Sequence, residues 1–178
     1  MNNRTVISVI VLALALSACS HSRTDGPPEV QEAWESCAAV VAADDLMLTD
    51  VGQEPLVLPR LDHDFQPVAT VICGVGPRER PDGGTDLVAT EKRAVDIAAL
   101  VESLRLPDET PTLDACTQEL PFVPWLALLD EQGRWIRPGV PVDECRKPRT
   151  EFGAAVHQLR TEQVSATVVR SLSAKASR

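Results

Sequence analysis

The chain has 178 residues and a formal net charge of −9, with 17 basic residues set against 26 acidic ones. That imbalance argues against a nucleic-acid partner and against electrostatic docking on anionic lipid. Three tryptophans, three phenylalanines and no tyrosine leave little aromatic surface for a carbohydrate-binding platform.

The chain starts with a short polar stretch carrying one cation, Arg4, followed by an apolar run over residues 6–16 broken only by Ser8. The run is too short to span a bilayer as a mature helix, and its layout is that of a signal peptide. It closes on Leu16-Ser17-Ala18-Cys19, which resembles a bacterial lipobox: leucine, two small residues and the cysteine. That resemblance implies cleavage between Ala18 and Cys19 and a diacylglyceryl thioether on the Cys19 sulfur. The product is held to the membrane by lipid, with the rest of the chain extracytoplasmic at the plasma membrane. The bland alternatives are an ordinary secretory signal with a cysteine nearby, or an N-terminal anchor helix. Cleavage leaves 160 residues with a net charge of about −10. Residues 19–30 are expected to form the lipidated cysteine and a flexible tether, since SHSRTDGPPE is polar with one glycine and two prolines.

Four cysteines remain, Cys37, Cys73, Cys116 and Cys145, separated by 36, 43 and 29 residues. An even count in an exported chain predicts two disulfides, and the absence of CxxC spacing argues against a zinc site or a redox dithiol. Three pairings are open. Cys37–Cys73 with Cys116–Cys145 is favoured because each bond then closes a local loop, contributing about 3–4 kcal/mol in the chain-entropy model.

Residues 29–44 (EVQEAWESCAAVVAAD) place Trp34, Cys37, Ala38 and Val41 at i, i+3, i+4 and i+7, a helical stripe. Residues 46–61 read as a loop with at most one short strand. Residues 67–75 (PVATVICGV) are the clearest strand, GPRERPDGG at 76–84 is turn chemistry, and residues 85–90 return as a second strand. Asp96 is placed to cap a helix presenting Ile97, Leu100, Val101 and Leu104 on one face. Residues 124–138 (PWLALLDEQGRWIRP) carry the strongest hairpin signal, with an apolar first strand suited to a central place buried on both sides. After a proline-broken segment holding Cys145, Thr150 can cap a last helix with Phe152, Ala155, Val156 and Leu159 inward. Residues 161–178 read as a polar tail or an extension of that helix. The expected fold is an α+β domain over residues 31–160, with an antiparallel sheet of four or five strands, helices on one face and two disulfides.

No reaction is named by these residues, and no catalytic, cofactor or metal site is read from them. Asp62-His63-Asp64 has metal or acid–base chemistry, but consecutive residues in an extended chain point apart, so a polar loop is the better account. There is no G-x-S-x-G and no phosphate-loop glycine spacing. Arg78, Arg80 and Arg93 could hold an anion, yet Glu79, Asp82 and Glu91 beside them favour a mixed solvated surface. Cys145-Arg146-Lys147-Pro148-Arg149 is the one basic cluster, and His157 falls near the inward stripe of the last helix. Trp125 and Trp135 can pair across the hairpin; core packing is the default, and an exposed pair would mark a binding patch.

The order PVATVIC, glycine-rich loop, IAALVESL, CTQELPFVPWLALLDEQGRWIRPGVPVDECRKP and closing helix resembles uncharacterised exported lipoproteins of actinobacteria such as streptomycetes. The likeness covers residues 37–160, and its most specific parts are the Pro-Trp hairpin and the Cys-x-x-Pro ending. It implies a high-GC Gram-positive source and anchoring to the outer leaflet, and it carries no activity from which a catalytic residue could be transferred. The expectation is therefore a non-enzymatic binding module at the cell surface whose partner is an envelope protein or a small ligand. The alternative is an envelope hydrolase with dispersed Asp/Glu catalysis. A weaker third reading is an inhibitor-like module presenting the 76–84 loop.

Overall fold

The computed structural model describes residues 23–41, 54–119 and 122–172. The lipobox residues Ala18 and Cys19 lie outside them. Six strands form one antiparallel sheet: β1 (Gln31–Ala33), β2 (Ala69–Glu79), β3 (Thr85–Ala94), β4 (Trp125–Leu129), β5 (Arg134–Ile136) and β6 (Glu162–Leu172), in the order β1-β5-β4-β2-β3-β6. Among the described residues three α-helices accompany it, α1 (Cys37–Val40), α2 (Ala98–Leu104) and α3 (Thr150–Gln158), with a 3-10 turn at Glu54–Leu56. The class is α+β, as expected, but the sheet has six strands rather than four or five.

The sheet is built around β4, all of whose five residues are buried. Leu126 and Leu128 face one layer with Leu100 and Leu104 of α2 and Phe152 and Ala155 of α3. Trp125, Ala127 and Leu129 face the other, with Val71, Cys73, Cys37 and Val41. This is the two-residue period of a strand covered on both sides. The helices consequently do not share a face: α2 and α3 cover one, while α1 lies across the other, tied down by Cys37–Cys73. The second bond, Cys116–Cys145, staples the proline-rich segment to the loop after α2. Both pairings are the favoured ones.

The 124–138 hairpin forms as read. Its turn is closed by the Asp130 carboxylate, which accepts from the amides of Gln132 and Arg134 and from Arg134 Nε at 2.7 Å. Gly133 supplies the positive φ of +77° that the turn requires.

Several expectations are corrected. Of the helix expected over residues 29–44, the described part, which ends at Val41, is a short edge strand, β1, followed by a single turn capped by Ser36, whose hydroxyl accepts from Ala39 N. Pairing of Gln31–Ala33 with β5 overrides the helical stripe. β2 runs on through Gly76 and Pro77 to Glu79, so only residues 80–84 turn. Ile97 and Arg149, rather than Asp96 and Thr150, occupy the N-cap positions of α2 and α3, with no side-chain cap bond at either. His157 is exposed. Residues 162–172 extend neither α3 nor a frayed end; they form β6 along the outer edge of β3. The tether is shorter than expected too: from Arg23 onward the chain is bonded to the domain, and Pro28 is buried.

Candidate functional site

All three tryptophans of the chain converge on the α1 face of the sheet. Trp125 comes from β4, Trp135 from β5 and Trp34 from the segment between β1 and α1. Trp34 meets Trp135 edge-on with ring centroids 5.3 Å apart, and Trp125 lies 6.1 and 6.2 Å from the other two. Such pairs add about 0.5–1.5 kcal/mol each beyond the area they bury. Trp125 is only 6% exposed, whereas Trp34 and Trp135 are half-buried. The expected Trp125–Trp135 neighbourhood thus exists, but as the floor of a cleft rather than an exposed patch.

The cleft has a volume of about 740 Å³ and is floored by Trp125 and Trp135. Its walls come from the arm with Thr24, Pro27 and Pro28, from Gln31 of β1, from Val40 and Val41 at the end of α1, and from the turn with Leu58 and Pro59. Arg137 lies with its guanidinium carbon 4.9 Å from the Trp125 ring centroid and forms an ion pair with Glu54 at 2.8 Å. Asp25, Glu29 and Glu54 stand at the rim, so acids outnumber the one arginine.

Beneath the cluster sits a buried carboxylate. Glu91 of β3 is 7% exposed, accepts from Trp34 Nε1 at 3.1 Å and from the Cys37 amide at 3.0 Å, and pairs in register with Cys73. It therefore ties the indole, the start of α1 and the disulfide into one unit. An acid in a strand gives no local sign of this role, because both donors lie 54 or more residues away.

The other candidates are absorbed by the fold. The Asp62 carboxylate accepts from the amides of Asp64 and Phe65, both at 3.1 Å, closing a turn that leaves His63 exposed. Among the described residues no group of three or more His, Cys, Asp or Glu side chains is arranged to hold a metal ion. Arg80 bridges Asp82 and Asp86 at 3.1 and 2.9 Å, and Ser171 also donates to Asp86, so this loop is an ion-pair lock between the hairpin and β6. In the basic cluster, Lys147 pairs with Glu119, Arg149 pairs with Glu109 and Glu151, and Arg146 is exposed.

The displaced carboxyl acidities all run downward. Hydrogen bonds from Ser171 and then Arg80 hold Asp86 low, the Gly84 amide and Arg80 do so for Asp82, and Arg149 takes Glu151 to about 2. For Asp130, burial opposes ionisation, but the Arg134 side chain and amide outweigh it. None of these groups lines the cleft. A general acid for glycosidase-like or protease-like chemistry would be pushed the other way.

Two disulfides fit an oxidising, extracytoplasmic compartment. Among the described residues no helix is long and apolar enough to cross a membrane. Set against protein-family models, curated proteins and solved structures, the chain matches none.

Proposed function

We propose that the chain is an extracytoplasmic lipoprotein, anchored through Cys19, that uses the tryptophan-floored cleft as a binding site. The observation that carries the reading is the packing of all three tryptophans into one cluster, two of whose members, Trp125 and Trp135, floor an open cleft. The lipobox pattern, the two disulfides and the likeness to actinobacterial exported lipoproteins support the address. The aromatic floor and the acid-rich rim favour a neutral or cationic ligand with an apolar face. The competing hydrolase draws no support from the displaced carboxyls, which are all stabilised as anions by neighbouring donors.

Because there is no tyrosine, intrinsic emission from this protein comes from the cleft cluster alone. Titration with aryl- and alkylammonium ions, against carboxylates of the same shape, tests the site. The cations should quench or shift the emission and the carboxylates should not, and Trp135→Ala should remove the response. An unresponsive spectrum, or a preference for the carboxylates, contradicts the reading. The address is tested by fractionation: Cys19→Ala should leave the membrane fraction, and unchanged retention refutes lipid anchoring.

A further inference from the structure

We propose that Arg23 is a latch that turns the amino-terminal tether into a short mount and holds the tryptophan cleft at the level of the lipid headgroups. The proposal rests on the lipid-anchor reading at Cys19. Its structural part stands on the arm itself.

Arg23 makes four hydrogen bonds. Nε and Nη2 grip both oxygens of Asp108 at 3.0 Å each, Nη1 donates to the Leu58 carbonyl at 2.6 Å, and Nη2 donates to the Val140 carbonyl at 2.8 Å. A bidentate guanidinium–carboxylate pair with two further carbonyl acceptors fixes position as well as charge. The Thr24 amide adds a bond to the Val57 carbonyl at 2.8 Å. The fold makes room for this grip: a Cβ on Gly139 would stand 2.3 Å from Arg23 Nη1 and 2.1 Å from the Leu58 oxygen. A side chain in a solvated tether would have no such seat.

The consequence is one of reach. Arg23 follows Cys19 by four residue steps, which at full extension is about 14 Å. A free tether running to Gln31 would reach about 40 Å. The latch therefore removes most of the slack. It also joins the anchor to the cleft directly, because Leu58 accepts from Arg23 and lines the cleft, as do Thr24, Asp25, Pro27 and Pro28 of the same arm. The near rim of the cleft then stands about 15–20 Å from the lipidated sulfur at most. The partner this geometry fits is one displayed at the bilayer surface, in the headgroup layer, rather than one free in the surrounding medium.

Cys19 is the sole cysteine outside the two disulfides, so the chain from residue 19 onward can be coupled at that thiol to a maleimide lipid. In phosphatidylcholine vesicles carrying dansyl headgroups, energy transfer from the tryptophans reads the distance from cleft to bilayer. The latched chain should show strong transfer. Arg23→Ala should lower it several-fold, and so should six Gly-Ser residues inserted between Ser20 and His21. Equal transfer in all three overturns the mount. Trypsin supplies a second readout that needs no membrane: the Arg23–Thr24 bond should resist cleavage, and Asp108→Asn should speed it at least tenfold. Cleavage of the unaltered chain as fast as of its urea-unfolded form overturns the latch. Since the coupling is chemical, an unlipidated chain recovered from its host overturns the anchor and the mount but leaves the trypsin result standing.

Discussion

On one side of β4, Leu126 and Leu128 meet Leu100, Leu104 and Phe152; on the other, Trp125, Ala127 and Leu129 meet a disulfide, two more tryptophans and the carboxylate of Glu91. The first layer is aliphatic packing almost throughout, and its energy scales with the apolar area removed from water. The second layer buries polar groups that stay stable only while each keeps its partner, so its geometry is fixed more sharply than its energy requires. A fold needs the first kind of layer. The second is where a surface gains defined shape and chemistry, and it is there that the molecule opens into a cleft.

The contrast can be broken from either side. The largest effect is expected in the aliphatic layer: Leu128→Ala, at a fully buried position, should cost about 3–5 kcal/mol in denaturant unfolding while sparing the ammonium response of the folded protein. Next comes the covalent tie of the aromatic layer. Cys37→Ala/Cys73→Ala and Cys116→Ala/Cys145→Ala should each lose about 3–4 kcal/mol, the first pair distorting the emission and the second leaving it unchanged. Glu91→Gln should cost about 1–3 kcal/mol, since an amide cannot accept from both the Trp34 indole and the Cys37 amide without presenting a donor to one of them. Its emission should shift to the red as Trp34 loses its fixed partner.

The acid dependence supplied by three carboxylates should be the smallest effect. Asp86, Asp130 and Glu151 have folded pKa values held below their unfolded ones, so each stabilises the fold above its unfolded pKa. That contribution is lost as pH falls through the folded value. For Glu151 the window runs from the usual 4.5 down to about 2. Stability should therefore decline below about pH 4.5, and Asp130→Asn should flatten part of that decline.

Legibility in the sequence followed the same division. The 124–138 hairpin was readable because its apolar run, its turn residues and its return strand are contiguous, and the disulfide pairing because each bond closes a local loop. β6 was not, although Val164, Thr167, Val168 and Val169 are strand formers. Both of its faces are largely exposed, so it shows no alternation of apolar and polar residues. Trp34 looked helical because a four-residue match to a 3.6 period arises easily, and only pairing with β5 settles the matter. Arg23 and Glu91 carry no local signal at all: their partners lie 35 to 117 and 54 to 57 residues away.

The central claim is that the tryptophan layer is the working face. A photo-crosslinking residue placed at Gln31, on the cleft wall, should give a discrete adduct in native membranes that disappears with Trp135→Ala, and the same residue at Val168, on the outer edge of β6, should give none. Adducts from position 168 alone, or an adduct from position 31 untouched by Trp135→Ala, would contradict it.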